Sequence, residues 1–274
     1  MSKIGNTGRT RDVRDVGDGP STVTVTAPLN ARSLALSVLL GTHPPELPVR
    51  ALVALADLFG IAPGTMRTAL SRMVSTGELV GDGGRYELGP SLLARQTAQD
   101  AGRRAPEAAW DRQWHSVIVA ADQRHVTERR RFRTGMANHR FGELRPDIWM
   151  RPSNLPTPPV EAGWIVTTGS LSGVPADELA ARLWDLPAIA ADARRLTGRL
   201  DDLRRSVDWS TVGSIPAIFV ESASVVRFLR SEPLLPVELT PAGWPVDRLR
   251  QTYDEAETAF QALLQGFLRR ADRG

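Results

Sequence analysis

Five polar side chains recur on one side of a short segment whose apolar residues have helical spacing. They are Thr65, Arg67, Thr68, Ser71 and Arg72. Arginine can donate two hydrogen bonds to the acceptor edge of a guanine, while serine and threonine hydroxyls reach bases or phosphates. Neither Asp nor Glu occurs from residue 60 to residue 76, as proximity to a polyanion requires. The pattern predicts a surface that contacts double-stranded DNA.

The segment that carries these side chains has clear helix boundaries. It begins near Pro63, its apolar residues recur at steps of three and four, and Gly77 ends it. The preceding segment, PVRALVALADLFG, has a similar apolar face, accepts Pro48 in its first turn, and stops at Gly60. Two helices joined by so short a turn predict a helix-turn-helix, whose second helix enters the major groove.

A hairpin is predicted directly after this second helix. Polar and apolar residues alternate on both sides of the turn DGG at residues 82–84, which is a short-range hairpin signal. Arg85 follows the turn, where it could contact phosphates or a minor groove; alternatively, it is a solvated turn residue. With a helix over residues 31–40, ended by a glycine, these elements predict a winged helix-turn-helix domain over residues 30–92.

Composition limits the class of protein. With 274 residues the chain has room for two or three domains, and its net charge is only +3. Residues 1–110 carry +2, residues 111–150 carry +3 and residues 151–274 carry −2, so the last third is not predicted to face DNA. The absence of cysteine excludes disulfides and thiolate chemistry. Apolar runs shorter than about 20 residues predict a cytoplasmic protein without membrane contact.

The remaining segments predict an α+β multidomain chain. Residues 1–29 are polar and predict a disordered tail, in which TVTVT is a candidate added strand. A connector over residues 93–109 leads to a middle domain over residues 110–172, where WHSVIVA, DIWM and GWIVTTG predict strands and an arginine-rich segment predicts a helix. Prolines divide the helical runs of residues 173–274, which predicts a mainly helical C-terminal domain.

Three motifs, in this order, resemble the PaaX family of bacterial transcriptional regulators, whose founding members repress genes of phenylacetate catabolism. They are MRTALSRMVSTGELV with GGRYEL, then WDRQW with FGELRPDIWMRP, then RFLRSEPLLPVELTPAGWPVDRLRQTYDEAETAF. The resemblance implies a ferredoxin-like middle domain similar to the Cas2 nucleases. It also implies a repressor without a cofactor, released from DNA by a small effector such as an aryl- or acyl-CoA thioester. The polar tail and VAADQRH at residues 119–125 depart from the family pattern and leave the effector open.

A palindromic operator would suit a homodimer, because the two-fold symmetry of such a protein matches paired half-sites. Candidate effector contacts are Arg129, Arg130 and Arg133, since guanidinium groups bind phosphate oxygens bidentately. This cluster could equally be a solvated helix face or a second DNA-contacting patch. Trp184 and Trp244 are candidate walls of an apolar pocket between helices, although aromatic residues at helical spacing are more often core.

An enzymatic alternative follows from the resemblance to Cas2 nucleases. Such a nuclease needs a carboxylate at the end of its first strand to hold a divalent metal, and Asp122 after VIVAA is the candidate. The simpler interpretation is a solvated acid that ends a strand. The four histidines lack metal-ligand spacing, and no nucleophile elbow or phosphate-binding glycine loop occurs in the sequence. We therefore expect no enzymatic activity and no metal, and a DNA-binding protein without an effector remains the other alternative.

Overall fold

The computed structural model describes residues 29–81, 84–103, 109–119, 126–158, 160 and 163–273. Asp122, the strand predicted at TVTVT, the first two residues of the hairpin turn and all but the last residue of the predicted tail lie outside these ranges. The helices are α1 (Ala31–Gly41), α2 (Val49–Leu58), α3 (Pro63–Ser75), α4 (Pro90–Arg103), α5 (Val126–Asn138), α6 (Ala176–Leu183), α7 (Leu186–Ser206), α8 (Ile215–Ser231) and α9 (Val246–Arg273). The strands are β1 (Glu46–Pro48), β2 (Leu79–Gly81), β3 (Arg85–Leu88), β4 (Trp114–Val119), β5 (Gly142–Arg145), β6 (Ile148–Pro152) and β7 (Trp164–Gly169).

A three-stranded antiparallel sheet in the order β1-β3-β2 lies beside α1, α2 and α3. The predicted hairpin is formed by β2 and β3, with Leu79 opposite Leu88. The sequence pattern did not predict β1, because this strand is only three residues long and its last residue, Pro48, was assigned to the first turn of the next helix. Proline cannot donate a ladder hydrogen bond, and an edge strand such as β1 tolerates it.

Glycines end α2 and α3, as the sequence predicted. Gly60 and Gly77 have φ values of 68° and 72°, in the left-handed region that glycine adopts without a steric penalty. After α2, the amide of Ile61 donates to the carbonyl of Ala56 at 2.9 Å, which is the long bond of a Schellman motif. The same pattern of bonds follows α3. The turn between the two helices is therefore fixed by the backbone itself. Gly41, which the sequence predicted as the residue just after α1, is instead the last residue within that helix.

The middle sheet has the order β5-β6-β4-β7, and every neighbouring pair is antiparallel. This order and these directions are those of a ferredoxin-like unit, as the family resemblance implied. One face packs against α5 through Val117 and Trp149, while the other packs against α6 through Trp114 and Met150. No helix connects β6 to β7 among the residues described in that connection. The fold class is α+β, with helices at both ends of the chain.

Helices α7, α8 and α9 form the C-terminal region, and two of them extend the core of the first region. Ile215, Ile218 and Phe219 of α8 and Phe260 and Leu264 of α9 belong to the same buried cluster as the inner faces of α1, α2 and α3. Helix α9 contacts both α2 and α7. The N-terminal and C-terminal helices therefore share one hydrophobic core, although the sequence divided them into separate domains.

The segment Val212–Ser231, which contains α8, has a mean hydropathy of 1.5 over its apolar window and is long enough to cross a membrane. In the structure it packs against α4, α7 and α9. Of that window, 33% is buried inside the protein, and core helices of soluble proteins can have the same length and composition as membrane spans.

Arg140 joins the middle sheet unit to the C-terminal helices. It follows α5 with a φ of 65°, a conformation that costs a non-glycine residue about 1–2 kcal/mol. Its buried guanidinium donates to the carbonyl oxygen of Leu229 at 2.8 Å and to that of Glu232, at the C-terminal end of α8. The last carbonyl groups of a helix lack partners within the helix, and Arg140 supplies hydrogen bonds to two carbonyls at this end of α8. These bonds offset the strain of the Arg140 backbone conformation.

Gly142 of β5 is required for the contact with α6. A Cβ added at this position would lie 2.7 Å from the Cβ of Leu183 and 2.8 Å from its carbonyl oxygen. We expect Gly142→Ala to lower the free energy of unfolding by about 1–3 kcal/mol, the usual cost of overpacking, in urea denaturation.

The matched control is Gly135→Ala in α5, where an added Cβ meets nothing within 4 Å. Alanine is the better helix former by about 0.5–1 kcal/mol, so this variant should be at least as stable as the wild type. Equal stability of the two variants would contradict the close approach of β5 and α6.

Candidate nucleic-acid interface

Helix α3 presents all five predicted polar side chains to solvent. Thr65, Arg67, Thr68, Ser71 and Arg72 are exposed, whereas Met66, Leu70 and Met73 are 0–1% exposed. At 100° per residue the polar set covers an arc of about 160°, opposite the buried residues. From first to last it extends about 10 Å along the helix axis. A helix of this kind has the width and the hydrogen-bonding groups to enter a major groove.

Several interactions hold α3 in place. Its buried face belongs to the core shared with α1 and α2. Pro63 is at the start of the helix, where its missing N–H costs nothing. Behind the C-terminal end, Arg32 of α1 forms a two-pronged ion pair with Glu78, in which the Arg32 Nε to Glu78 Oε2 distance is 2.9 Å. This hydrogen bond holds the pKa of Glu78 below its usual value. The exposed face of α3 is thus supported by a rigid framework.

Arg67 and Arg72 form no ion pair with any carboxylate in the described part of the chain. Arg85 differs, because its guanidinium donates to Glu46 Oε1 at 2.9 Å. Glu46 is directly opposite Glu87 in the β1–β3 ladder, and Arg85 offsets the repulsion between these two carboxylates. A DNA contact by Arg85 would therefore compete with this pair.

The structure describes the side chains of three of the five predicted effector residues, and these three lie in different surroundings. The side chains of Arg129 and Arg130 on α5 lie outside the description, and Arg133 donates to Glu143 Oε1 at 3.1 Å on the exposed surface. Trp184 packs in the cluster between α6 and the middle sheet, beside Gly142. Trp244 belongs to a different cluster, formed by α7, α8 and α9.

Trp244 lines a cavity of about 380 Å³, together with Trp110, Asn154, Glu232 and Arg250. Glu232 is 3% exposed and forms an ion pair with Arg250. Burial raises the pKa of Glu232 and outweighs the opposing effect of Arg250. The Nδ2 of Asn154 donates to the carbonyl of Leu234 at 2.7 Å. The Oδ1 of Asn154 and the Nε of Arg250 are buried and have no hydrogen-bond partner among the described residues.

A second cavity, of about 200 Å³, lies between α1, α4, α8 and α9. Three arginines, Arg95, Arg227 and Arg230, line it together with the buried Ser222. The sequence pattern did not predict a role for these residues. In the sequence, Arg227 and Arg230 are visible only as two arginines at i and i+3 near the end of a largely apolar helix. Their proximity to Arg95 of α4 depends on tertiary packing, which a sequence pattern does not show.

Comparisons with known proteins agree with the arrangement of these elements. Residues 30–89 match the family model described as PaaX-like protein, and residues 107–161 match that of the PaaX protein central Cas2-like domain. The uncharacterized protein Rv0674 from Mycobacterium tuberculosis has a similar structure, with a TM-score of 0.67. The two are 38% identical, and the match covers 87% of this chain and 98% of the other. The chain belongs to the PaaX family. No curated protein matches the sequence significantly.

Membership of the PaaX family implies a transcriptional regulator and accounts for the placement of its motifs. The first matched region contains α1–α3 and β1–β3, including the exposed face of α3. In the second, the motif FGELRPDIWMRP supplies β5 and β6 and contributes to the sheet core through Trp149. Its Arg151 is buried and donates to the carbonyl of His139 at 3.0 Å; burial lowers its pKa to about 10. This PaaX motif is therefore structural.

The separation of polar and buried faces on α3 predicts how its substitutions affect stability. We expect Arg67→Ala and Arg72→Ala to leave the free energy of unfolding within about 0.5 kcal/mol of the wild type, because neither side chain is packed. Leu70→Ala should lower it by about 2–5 kcal/mol through the loss of buried contacts. Urea denaturation followed by circular dichroism measures all three. Arginine variants as unstable as Leu70→Ala would mean that the polar face packs inside the protein.

Proposed function

We propose that this PaaX-family regulator is a repressor that inserts α3 into the major groove of operator DNA. The supporting observation is the exposed arc of Thr65, Arg67, Thr68, Ser71 and Arg72, which stands on a buried apolar face. The two arginines would read guanines or bind phosphates, and the three hydroxyls would bind bases or phosphates. No carboxylate on α3 opposes the phosphates.

We further infer that residues 30–92 form a winged helix-turn-helix. The order α1-β1-α2-α3-β2-β3 and the three-stranded antiparallel sheet support this inference. In such a domain the β2–β3 hairpin is the wing, and it lies beside the DNA backbone. Because Arg85 is already paired with Glu46, its contact with DNA would replace a surface ion pair worth about 0–1 kcal/mol. Arg85 is therefore proposed to contribute less than Arg67 or Arg72.

The proposed regulator is a cytoplasmic homodimer. Paired half-sites require two copies of α3, and an isologous dimer supplies them. The middle sheet offers a surface for self-association, because Ile118 of β4 and Ile165 of β7 are register partners and are 39% and 52% exposed. A small effector would release the operator by favouring a dimer in which the two α3 helices no longer fit neighbouring grooves. The effector can shift the equilibrium between the two dimer geometries only by the difference in its affinity for them.

The operator can be isolated by selecting genomic fragments, including the DNA beside the encoding gene, on the purified full-length chain. Fluorescence anisotropy with the selected operator should show that Arg67→Ala and Arg72→Ala each weaken binding by about 1–3 kcal/mol. The slope of log Kd against log salt should also fall by about 1 for each arginine that contacts a phosphate. Arg85→Ala should have a smaller effect.

Arg205→Ala on α7 is the matched control, because this arginine is 70% exposed and far from α3 in the chain. It should bind the operator as the wild type does. Wild-type affinity in both α3 variants would remove α3 as the DNA-contacting element. Cleavage of the DNA on addition of Mg²⁺, abolished by Asp122→Asn, would instead favour the nuclease alternative. Repression insensitive to every small molecule tested would favour a regulator without an effector.

Self-association is tested by size-exclusion chromatography with light scattering. We expect the wild type to have twice the 29.9 kDa mass of one chain. Ile165→Glu should shift it to the monomer, because a buried, unpaired carboxylate is costly at an apolar interface. Val237→Glu, at a position that is 79% exposed in another segment, should stay dimeric. A monomeric wild type would refute the homodimer, and a dimeric Ile165→Glu would refute this surface.

A further inference from the structure

The cavity between α1, α4, α8 and α9 combines apolar walls with a cationic opening. Phe219, Phe260 and Leu264 provide apolar surface, and all three belong to the core that supports α3. Its volume is about 200 Å³, below the ~300–1,000 Å³ typical of pockets for drug-sized ligands. The enclosed space therefore suits a small molecule and is too small to enclose a whole coenzyme A thioester.

Three guanidinium groups line this cavity, and its one lining carboxylate, Glu257, is hydrogen-bonded to Tyr253 and Gln261. Arg95 comes from α4, and Arg227 and Arg230 come from α8. None of them forms an ion pair with a residue in the ranges that the structure describes. Burial lowers the pKa of Arg230, and repulsion from Arg95 and Arg227 lowers it further. Like charges held together at the opening of a pocket are relieved by an anion.

Ser222 provides a second, independent indication of a ligand site. Ser222 is 6% exposed and lines the cavity, and its Oγ has no hydrogen-bond partner among the residues that the structure describes. A buried hydroxyl without a partner is unfavourable, because it has lost its hydrogen bonds to water. By contrast, the hydroxyl of Ser224, two residues along the same helix, donates to the carbonyl of Val220 at 3.0 Å. Ser222 is therefore a donor and acceptor available to a ligand.

The opposite wall carries Tyr253, Glu257 and Gln261 of α9 at four-residue spacing. The Tyr253 hydroxyl donates to Glu257 Oε2 at 2.9 Å, and Gln261 Nε2 donates to Glu257 Oε1 at 2.7 Å. This carboxylate limits the negative charge that the cavity accepts. Three of the four charged residues that line the cavity are arginines, so it attracts anions, and its apolar walls favour an organic carboxylate over inorganic phosphate.

We propose that this cavity is the binding site for a small organic carboxylate with an apolar body. The arginines bind the carboxylate, Ser222 bonds a polar atom of the ligand, and the phenyl rings of Phe219 and Phe260 contact its apolar part. The site touches α1 of the proposed DNA-binding domain and α8 and α9 of the C-terminal region. Its regulatory consequence rests on the proposed function: the carboxylate is the effector that changes the operator affinity.

The binding step is tested without DNA, on the full-length protein. Calorimetry is performed with benzoate, cyclohexanecarboxylate, cinnamate and octanoate, together with benzamide, inorganic phosphate and benzoyl-coenzyme A. We expect at least one free carboxylate to bind and benzamide and phosphate not to bind. Arg230→Gln should weaken this binding about ten- to a hundredfold, and Ser222→Ala about two- to tenfold. Arg195→Gln on α7 and Ser224→Ala on α8 are the matched controls and should bind as the wild type does.

Arg230→Gln should also be at least as stable to heat as the wild type without ligand, because it removes a repulsive charge. A merely structural arginine would give the opposite shift. Binding of none of the carboxylates, equal binding of phosphate, or binding of the coenzyme A thioester alone would overturn the proposal.

The regulatory step is measured separately, with the operator. The carboxylate that binds best should raise the operator Kd of the wild type at least fivefold and leave that of Arg230→Gln unchanged. Binding of the carboxylate with no change in operator affinity would overturn the effector role. Failure of the unliganded protein to bind DNA would overturn the proposed function alone, because the calorimetry does not depend on it.

Discussion

The burial of the inner face of α3 is the constraint on which the rest of the structure depends. Met66, Leu70 and Met73 are fully buried, and the cluster that covers them extends from α1 and α2 to α8 and α9. At roughly 1.5–3 kcal/mol for each fully buried large side chain, this packing fixes which side of α3 faces solvent. The residues that α3 buries on its inner face therefore determine which residues form its solvent-exposed polar arc.

The same core connects regions that are far apart in the chain. Helix α9 begins more than 150 residues after α3 ends, yet it completes the environment of the N-terminal helices. The joint at Arg140 then ties the middle sheet to the end of α8 through backbone carbonyls. A ligand or a dimer contact on either side of α8 therefore acts on a continuous packed structure. Because the interior is close-packed, a small shift of α8 is transmitted to the helices that pack against it.

Local signals predicted the elements best. Gly60 and Gly77 marked helix ends because only a residue without a Cβ takes the left-handed conformation at low cost, and the alternation after Gly77 predicted the hairpin. The strand β1 escaped prediction, because three residues ending in proline have no measurable periodicity. The shared core and the group of Arg95, Arg227 and Arg230 escaped it for another reason: they depend on contacts between residues distant in sequence. The sequence placed Trp184 and Trp244 as possible partners in one pocket, but they pack in separate clusters.

The most direct test of the proposed DNA contact maps where α3 lies on DNA. The chain has no cysteine, so a single Thr68→Cys substitution can carry a tethered DNA-cleaving iron chelate at one defined point of α3. On the selected operator, we expect two clusters of cuts, centred in major grooves about 34–36 Å apart or a multiple of that distance. Ser206→Cys on α7, with the same chelate, should give no localised cuts. Cleavage from Ser206→Cys and none from Thr68→Cys would contradict the claim that α3 contacts the operator.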